Sequence, residues 1–147
     1  MLLPYRLAKG DWGGQRGGLQ SRGAAGSDID RSITFYERWA GLKLVDRLGD
    51  PKTGAKAARL GDGNTPFVVA LVQTGQPVED HLAGMGHLGV GCADREEVDR
   101  LCAAAEQHGC LRRGPVESGY PLGYWAFLTD PDGHQLELSY GQNDRSA

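Results

Sequence analysis

The chain has 147 residues, 39% of them apolar and 24% charged, with 16 basic against 19 acidic side chains. That length builds one domain with a substantial core and excludes two large ones. A formal charge of −3 with no lysine or arginine cluster speaks against a nucleic-acid partner, and no apolar run approaches the roughly 20 residues that span a bilayer, so the expected location is the cytoplasm, with no membrane partner.

The N-terminal stretch 1–26 is an atypical segment. Seven of the 23 glycines lie there, among arginine, alanine, glutamine and serine, without helical or strand periodicity. Periodic signals begin at Ser27. Ser27 or Asp28 can cap a helix whose apolar positions Ile29, Ile33, Tyr36 and Ala40 recur at helical spacing, and Gly41 stops it, which predicts a helix over 28–40. Strand-like runs follow at 42–47, 55–60 and 67–73, separated by turns rich in glycine and aspartate.

The same order then recurs. Residues 87–92 read as a short strand, and Asp94 with Glu97 makes a capping box for a helix with inner face Val98, Leu101, Cys102 and Ala105, ended by Gly109. Strands are predicted at 111–116, 124–128 and 135–140, the last two joined by Thr129-Asp130-Pro131-Asp132-Gly133. The helix caps Asp28 and Asp94 mark the same place in each copy, the signature of a repeated unit. By that register the first strand of the first copy falls at about Ser21–Ser27, where the composition suits a strand poorly. Cys92, Cys102 and Cys110 are odd in number and make no Cys-x-x-Cys pair, so they read as reduced, packed thiols.

Two strand-helix-three-strand units, with Asp28-Ile29-Asp30-Arg31-Ser32-Ile33-Thr34-Phe35-Tyr36 opening the first helix, resemble the vicinal oxygen chelate superfamily. Gly86-His87-Leu88-Gly89-Val90 and the closing Tyr124–Leu138 stretch, with Asp130-Pro131-Asp132-Gly133 at its centre, strengthen the resemblance. That superfamily includes glyoxalase I, extradiol dioxygenases, fosfomycin-resistance thiol transferases and bleomycin-resistance proteins. The resemblance implies an α+β fold of two tandem βαβββ modules, 27–76 and 86–141, in a cupped mixed sheet with helices outside. Residues 142–147 are left as a tail.

The resemblance also implies a site on the inward face of the sheet. His87 matches the ligand that opens module two and Glu137 the terminal carboxylate, which doubles as a catalytic group. A neutral imidazole and a carboxylate suit Mn, Fe, Co, Ni or Zn. The third ligand is missing: Ser21 precedes Asp28 by the same interval as His87 precedes Asp94, and shifting Glu137 back by the interval between the two caps lands on Leu71. One codon string for Ser21–Gly26 reads, one base later, as His-Val-Gly-Leu-Pro, so the glycine-rich segment is compatible with an out-of-frame translation that is not expected to form a regular strand. Tyr120, Tyr124 and Trp125 are further candidates for contact with substrate, and the Tyr124 phenol for orienting or protonating an oxygen anion. The function implied is a metal-dependent enzyme, a lyase, dioxygenase or transferase, acting on a small molecule with two vicinal oxygens, and a homodimer. The alternatives are a metal-free sequestering protein of the bleomycin-resistance type and an inactive copy lacking the first-strand ligand.

Overall fold

The computed structural model describes residues 28–52, 54, 56–73 and 86–142, together with the backbone of 19–21. The elements in chain order are β1 (Leu19–Ser21), α1 (Ile29–Trp39), β2 (Lys43–Gly49), β3 (Lys56–Gly61), β4 (Val68–Gln73), β5 (His87–Gly91), α2 (Arg95–Gln107), β6 (Leu111–Glu117), β7 (Tyr124–Thr129) and β8 (Gln135–Tyr140). They form two four-stranded sheets of the same topology, β1-β4-β3-β2 and β5-β8-β7-β6. In each, the first strand lies parallel to the last and the other pairs are antiparallel. This is the α+β fold of two βαβββ modules.

Both helices begin where the sequence places their caps. Asp28 Oδ1 accepts from the Asp30 amide at 3.0 Å, and Asp94 Oδ1 accepts from the Glu97 amide at 2.7 Å, each quenching an orphan N–H of the first turn. Glu97 reaches back to the amide of Ala93 at 2.8 Å, one residue earlier than the usual capping-box partner. Gly41 and Gly109 follow the last helical turns.

Each helix covers one face of its own sheet. α1 contributes Ile29, Ile33, Tyr36 and Trp39 to a core that also takes Leu60 from β3, Val69 and Leu71 from β4, and Leu128, Leu136 and Leu138 from the second module. One apolar core therefore serves both modules. Burying side chains of this size contributes about 1.5–3 kcal/mol each. Polar contacts join the halves as well. Tyr36 Oη donates to Asp130 Oδ2 at 2.9 Å, and Ser32 Oγ donates to Asp132 Oδ2 at 2.9 Å. Asp130 Oδ1 accepts the amides of Asp132 at 2.9 Å and His134 at 2.8 Å. The β7–β8 turn is thus folded around one carboxylate and clamped to α1. With their partners in place, these buried oxygens avoid the cost of desolvation without a hydrogen bond.

The first strand differs from the sequence expectation. β1 ends at Ser21 rather than beginning there, and pairs Leu19, Gln20 and Ser21 with Leu71, Val72 and Gln73. A short strand therefore exists in the glycine-rich segment. The rest of 1–26 lies outside the described residues, as do most of the connection between the modules and the tail beyond Gln142.

Candidate functional site

The face of the second sheet turned away from α2 carries the chemistry. Side chains alternate across a strand: Leu136 and Leu138 of β8 are fully buried on the helix side, so Glu137 between them takes the opposite face. Glu137 lies in register with Gly89 of β5 on one side and Phe127 of β7 on the other, and Phe127 lies in register with Arg113 of β6. The row Arg113, Phe127, Glu137, Gly89 crosses the whole sheet. Gly89 presents no side chain, which leaves room beside Glu137 for His87, two positions earlier on the same face of β5.

His87 Nε2 stands 2.7 Å from Glu137 Oε2, with the His87 side chain 35% exposed and that of Glu137 only 9%. The other carboxylate oxygen, Oε1, accepts from the side-chain amide of Gln142. Rings wall the pair. Phe127 meets His87 edge to face at 5.1 Å between centroids, and Trp125 meets Phe127 at 5.2 Å. The Arg113 guanidinium lies 5.1 Å above the Trp125 ring, within the range of a cation–π contact. Trp125 Nε1 donates to Ser118 Oγ at 2.9 Å, which orients the indole.

His87 and Glu137 are thus brought together, and Trp125 joins their face. The two tyrosines do not. Tyr124 belongs to the helix side of β7: its hydroxyl donates to Asp99 Oδ1 of α2 at 2.6 Å, and Arg95 stacks over its ring at 4.8 Å. The bond to Asp99 is the first cause that holds the phenol's pKa up at about 12, followed by burial and the charge of Asp99. It stabilises the protonated form and points the group away from Glu137. Tyr120 is 76% exposed in the β6–β7 loop. Ser21 is paired with Gln73 at the far end of β4, whereas His87 is paired with Gln135 at the start of β8. The place equivalent to His87 therefore precedes Leu19, outside the described residues.

The register of β4 changes one assignment as well. Val69 and Leu71 are buried against α1 as Leu136 and Leu138 are in the second module, so the counterpart of Glu137 is Ala70, between them. The offset from β4 to β8 is therefore one position longer than the offset between the helix caps. No carboxylate stands at that place under either count. Among the described residues no group of three or more His, Cys, Asp or Glu side chains converges to hold a metal. A groove of about 600 Å³ on the helix side, lined by Arg31, Arg38, Trp39, His108 and Asp130 among others, contains neither His87 nor Glu137.

As donors, an imidazole nitrogen and a carboxylate oxygen this close fit two positions around a divalent ion of the Mn-to-Zn series. A family model described as the Glyoxalase/Bleomycin resistance protein/Dioxygenase superfamily matches residues 20–138, a span that covers all but the ends of the two modules and includes this pair. The chain belongs to that superfamily. It is 33% identical over 117 residues, 78% of this chain and 82% of the other, to the uncharacterized protein PA2024 of Pseudomonas aeruginosa. Over 122 residues, 81% of this chain and 89% of the other, it is 29% identical to the lactoylglutathione lyase of Haemophilus influenzae. The trypanothione-dependent glyoxalase I of Leishmania major superposes with a TM-score of 0.66 at 26% identity, covering 88% of each chain. No described helix of this superfamily member is long and apolar enough to cross a membrane.

Sequence reasoning missed Gln142 and the Tyr36–Asp130 clamp. The clamp joins residues 94 positions apart, and no local pattern announces such a pair. Phe127 had a usable signal: it is two positions from Trp125 and so shares its face of the strand.

Proposed function

We propose that this superfamily member is a metal-dependent small-molecule enzyme of the glyoxalase and extradiol dioxygenase type, acting on a substrate that offers two vicinal oxygens. The single observation that supports it most is the 2.7 Å approach of His87 Nε2 to Glu137 Oε2 on the helix-free face of module two. His87 and Glu137 would hold the ion, which is one of Mn, Fe, Co, Ni or Zn and when bound supplies Lewis-acid polarisation of the two substrate oxygens.

The chain's own groups do the rest. Packed against Phe127, the His87 ring has its plane fixed, so its Nε2 is aimed before anything binds. The Glu137 carboxylate lies on the same face and would accept a proton from the substrate carbon or hydroxyl beside the polarised oxygens. Trp125 and Arg113 form the outer wall, suited to a planar or anionic part of the substrate. No third protein ligand is assigned, and the working unit is proposed to be a homodimer, as is common in this family.

A second reading is favoured by the same contact. His87 and Glu137 satisfy each other directly, and a wall of Phe127 and Trp125 suits a metal-free pocket that sequesters an aromatic or cationic guest. A panel of diols, catechols and glutathione adducts, assayed with the metal-loaded protein, separates the two. The enzyme reading expects turnover of at least one class, lost in His87→Ala and Glu137→Ala. Tight binding of a guest that both variants retain, without turnover or metal, would favour sequestration.

A further inference from the structure

We propose that Gln142 is a positioning residue for Glu137, and that the β6–β7 loop holds it in place through Gly123. The inference rests on the metal reading above. Gln142 is the first residue of the segment that the sequence sets aside as a tail, yet its side-chain amide donates to Glu137 Oε1 while His87 Nε2 occupies Oε2. The two carboxylate oxygens are therefore engaged by different partners. The orientation of the amide follows from the acceptor: a carboxylate oxygen accepts from the NH2 group and would repel the amide oxygen. The donor is neutral, so it can stay on Oε1 when a cation arrives at Oε2, whereas a lysine or arginine in its place would compete with that cation. Glu137 is thereby held ready to offer one oxygen.

The seat of Gln142 is tight. Gly123 has φ +68°, and a Cβ there would lie 2.4 Å from the Tyr140 carbonyl oxygen, 2.8 Å from the Gly141 carbonyl carbon and 2.9 Å from the Gln142 nitrogen. Only a residue without a side chain allows the loop backbone to press on the exit of β8 at this point. The loop is itself braced: the Gly123 amide donates to Gly119 O at 2.7 Å, and the Ser118 amide donates to Gly123 O at 3.0 Å. The Gly119 amide donates to Glu117 Oε1 at 2.9 Å, and Glu117 pairs with Arg95 at the start of α2. A continuous set of contacts therefore runs from α2 through the loop to Gln142 and Glu137.

The test is the affinity for Zn²⁺, measured by competition with a chromophoric chelator, in the full-length wild type, Gln142→Ala, Gly123→Ala and the double variant. Loss of a group that orients a metal ligand typically costs about 10–100-fold in affinity, and that range is expected for Gln142→Ala with its thermal midpoint held within a degree or two, since the side chain is exposed. Gly123→Ala should lose affinity to a similar degree, and the double variant should be no weaker in Zn²⁺ binding than the weaker single one, because both changes release the same carboxylate. Wild type that binds one Zn²⁺ dependent on Glu137, with Gln142→Ala within twofold of it, overturns this inference and leaves the metal reading standing. Wild type that binds no Zn²⁺ overturns both.

Discussion

The two modules share a fold and divide its tasks unequally. Their helix-facing rows match, Val69 and Leu71 in one against Leu136 and Leu138 in the other, and both rows enter a single core. Their opposite faces do not match. Where module two has Glu137, module one has Ala70, and among the described residues module two pairs five residues of β5 with β8 and module one three of β1 with β4. Packing constrains one face of each sheet to be apolar, while the other face is free to gain or lose chemistry. Duplicated architecture is therefore no guide to duplicated function: here the described donors sit in the second copy.

That contrast is open to direct attack, most severely at the register of β4. Leu71→Glu forces a carboxylate into the shared core beneath α1. Burying an unpaired charge costs several kcal/mol, so the variant is expected not to fold. Ala70→Glu, the adjacent position on the free face, should cost no more than about 1 kcal/mol. Urea denaturation of the pair checks the assignment, and a reversed order would mean that the faces have been exchanged.

Next in size is the clamp between the halves. Asp130→Ala strands the Tyr36 hydroxyl and two buried amides, and at about 1–3 kcal/mol for each unsatisfied group the loss should be on the order of 3 kcal/mol or more. Because one core spans both modules, the variant should still unfold in a single transition at lower urea. Two separated transitions would show that the modules are independent, contrary to the shared core.

A smaller effect uses the cysteines, all of which lie in module two. Burial first, and the charge of Asp99 second, push the Cys102 thiol up to about 11, so it should remain protonated and slow toward disulfide reagents at about pH 8. Its contribution to stability is fully present below the ordinary thiol range and is lost as the pH climbs through that range to about 11. Adding urea should expose Cys102 at the same midpoint at which the fluorescence of Trp39 in module one changes, read in a Trp12→Phe/Trp125→Phe background. An earlier release of the thiol would separate the two halves.

Much of the fold was legible in the sequence because its punctuation is local. Asp28, Asp94, Gly41 and Gly109 bound the helices close to where they lie, and Asp130-Pro131-Asp132-Gly133 marks the last hairpin. The pairing of β1 was not legible. Its length and register are set by β4, which lies beyond α1, β2 and β3 in the chain, and counting back from a helix cap assumes a loop of the same length in both copies. Bulges between Leu44 and Asp46, and between Leu111 and Arg113, likewise break simple counting along a strand. In the site, His87 and Glu137 came from the resemblance of their motifs to the superfamily, and the structure brings the two side chains to 2.7 Å from each other. Tyr124 was singled out for its place beside the Pro121-Leu122-Gly123 loop, but its strand position turns it to the helix side, where its hydroxyl meets Asp99. Gln142 lies beyond the last periodic element and was invisible for that reason.

The central claim is that module two holds a divalent ion through His87 and Glu137. Equilibrium dialysis of the purified chain against Zn²⁺, followed by metal and protein quantitation, tests it most directly. The account predicts close to one ion per chain in the wild type and almost none in His87→Ala or Glu137→Ala, each still folded by circular dichroism. Retention of the ion by both folded variants, or no ion in the wild type, would contradict it.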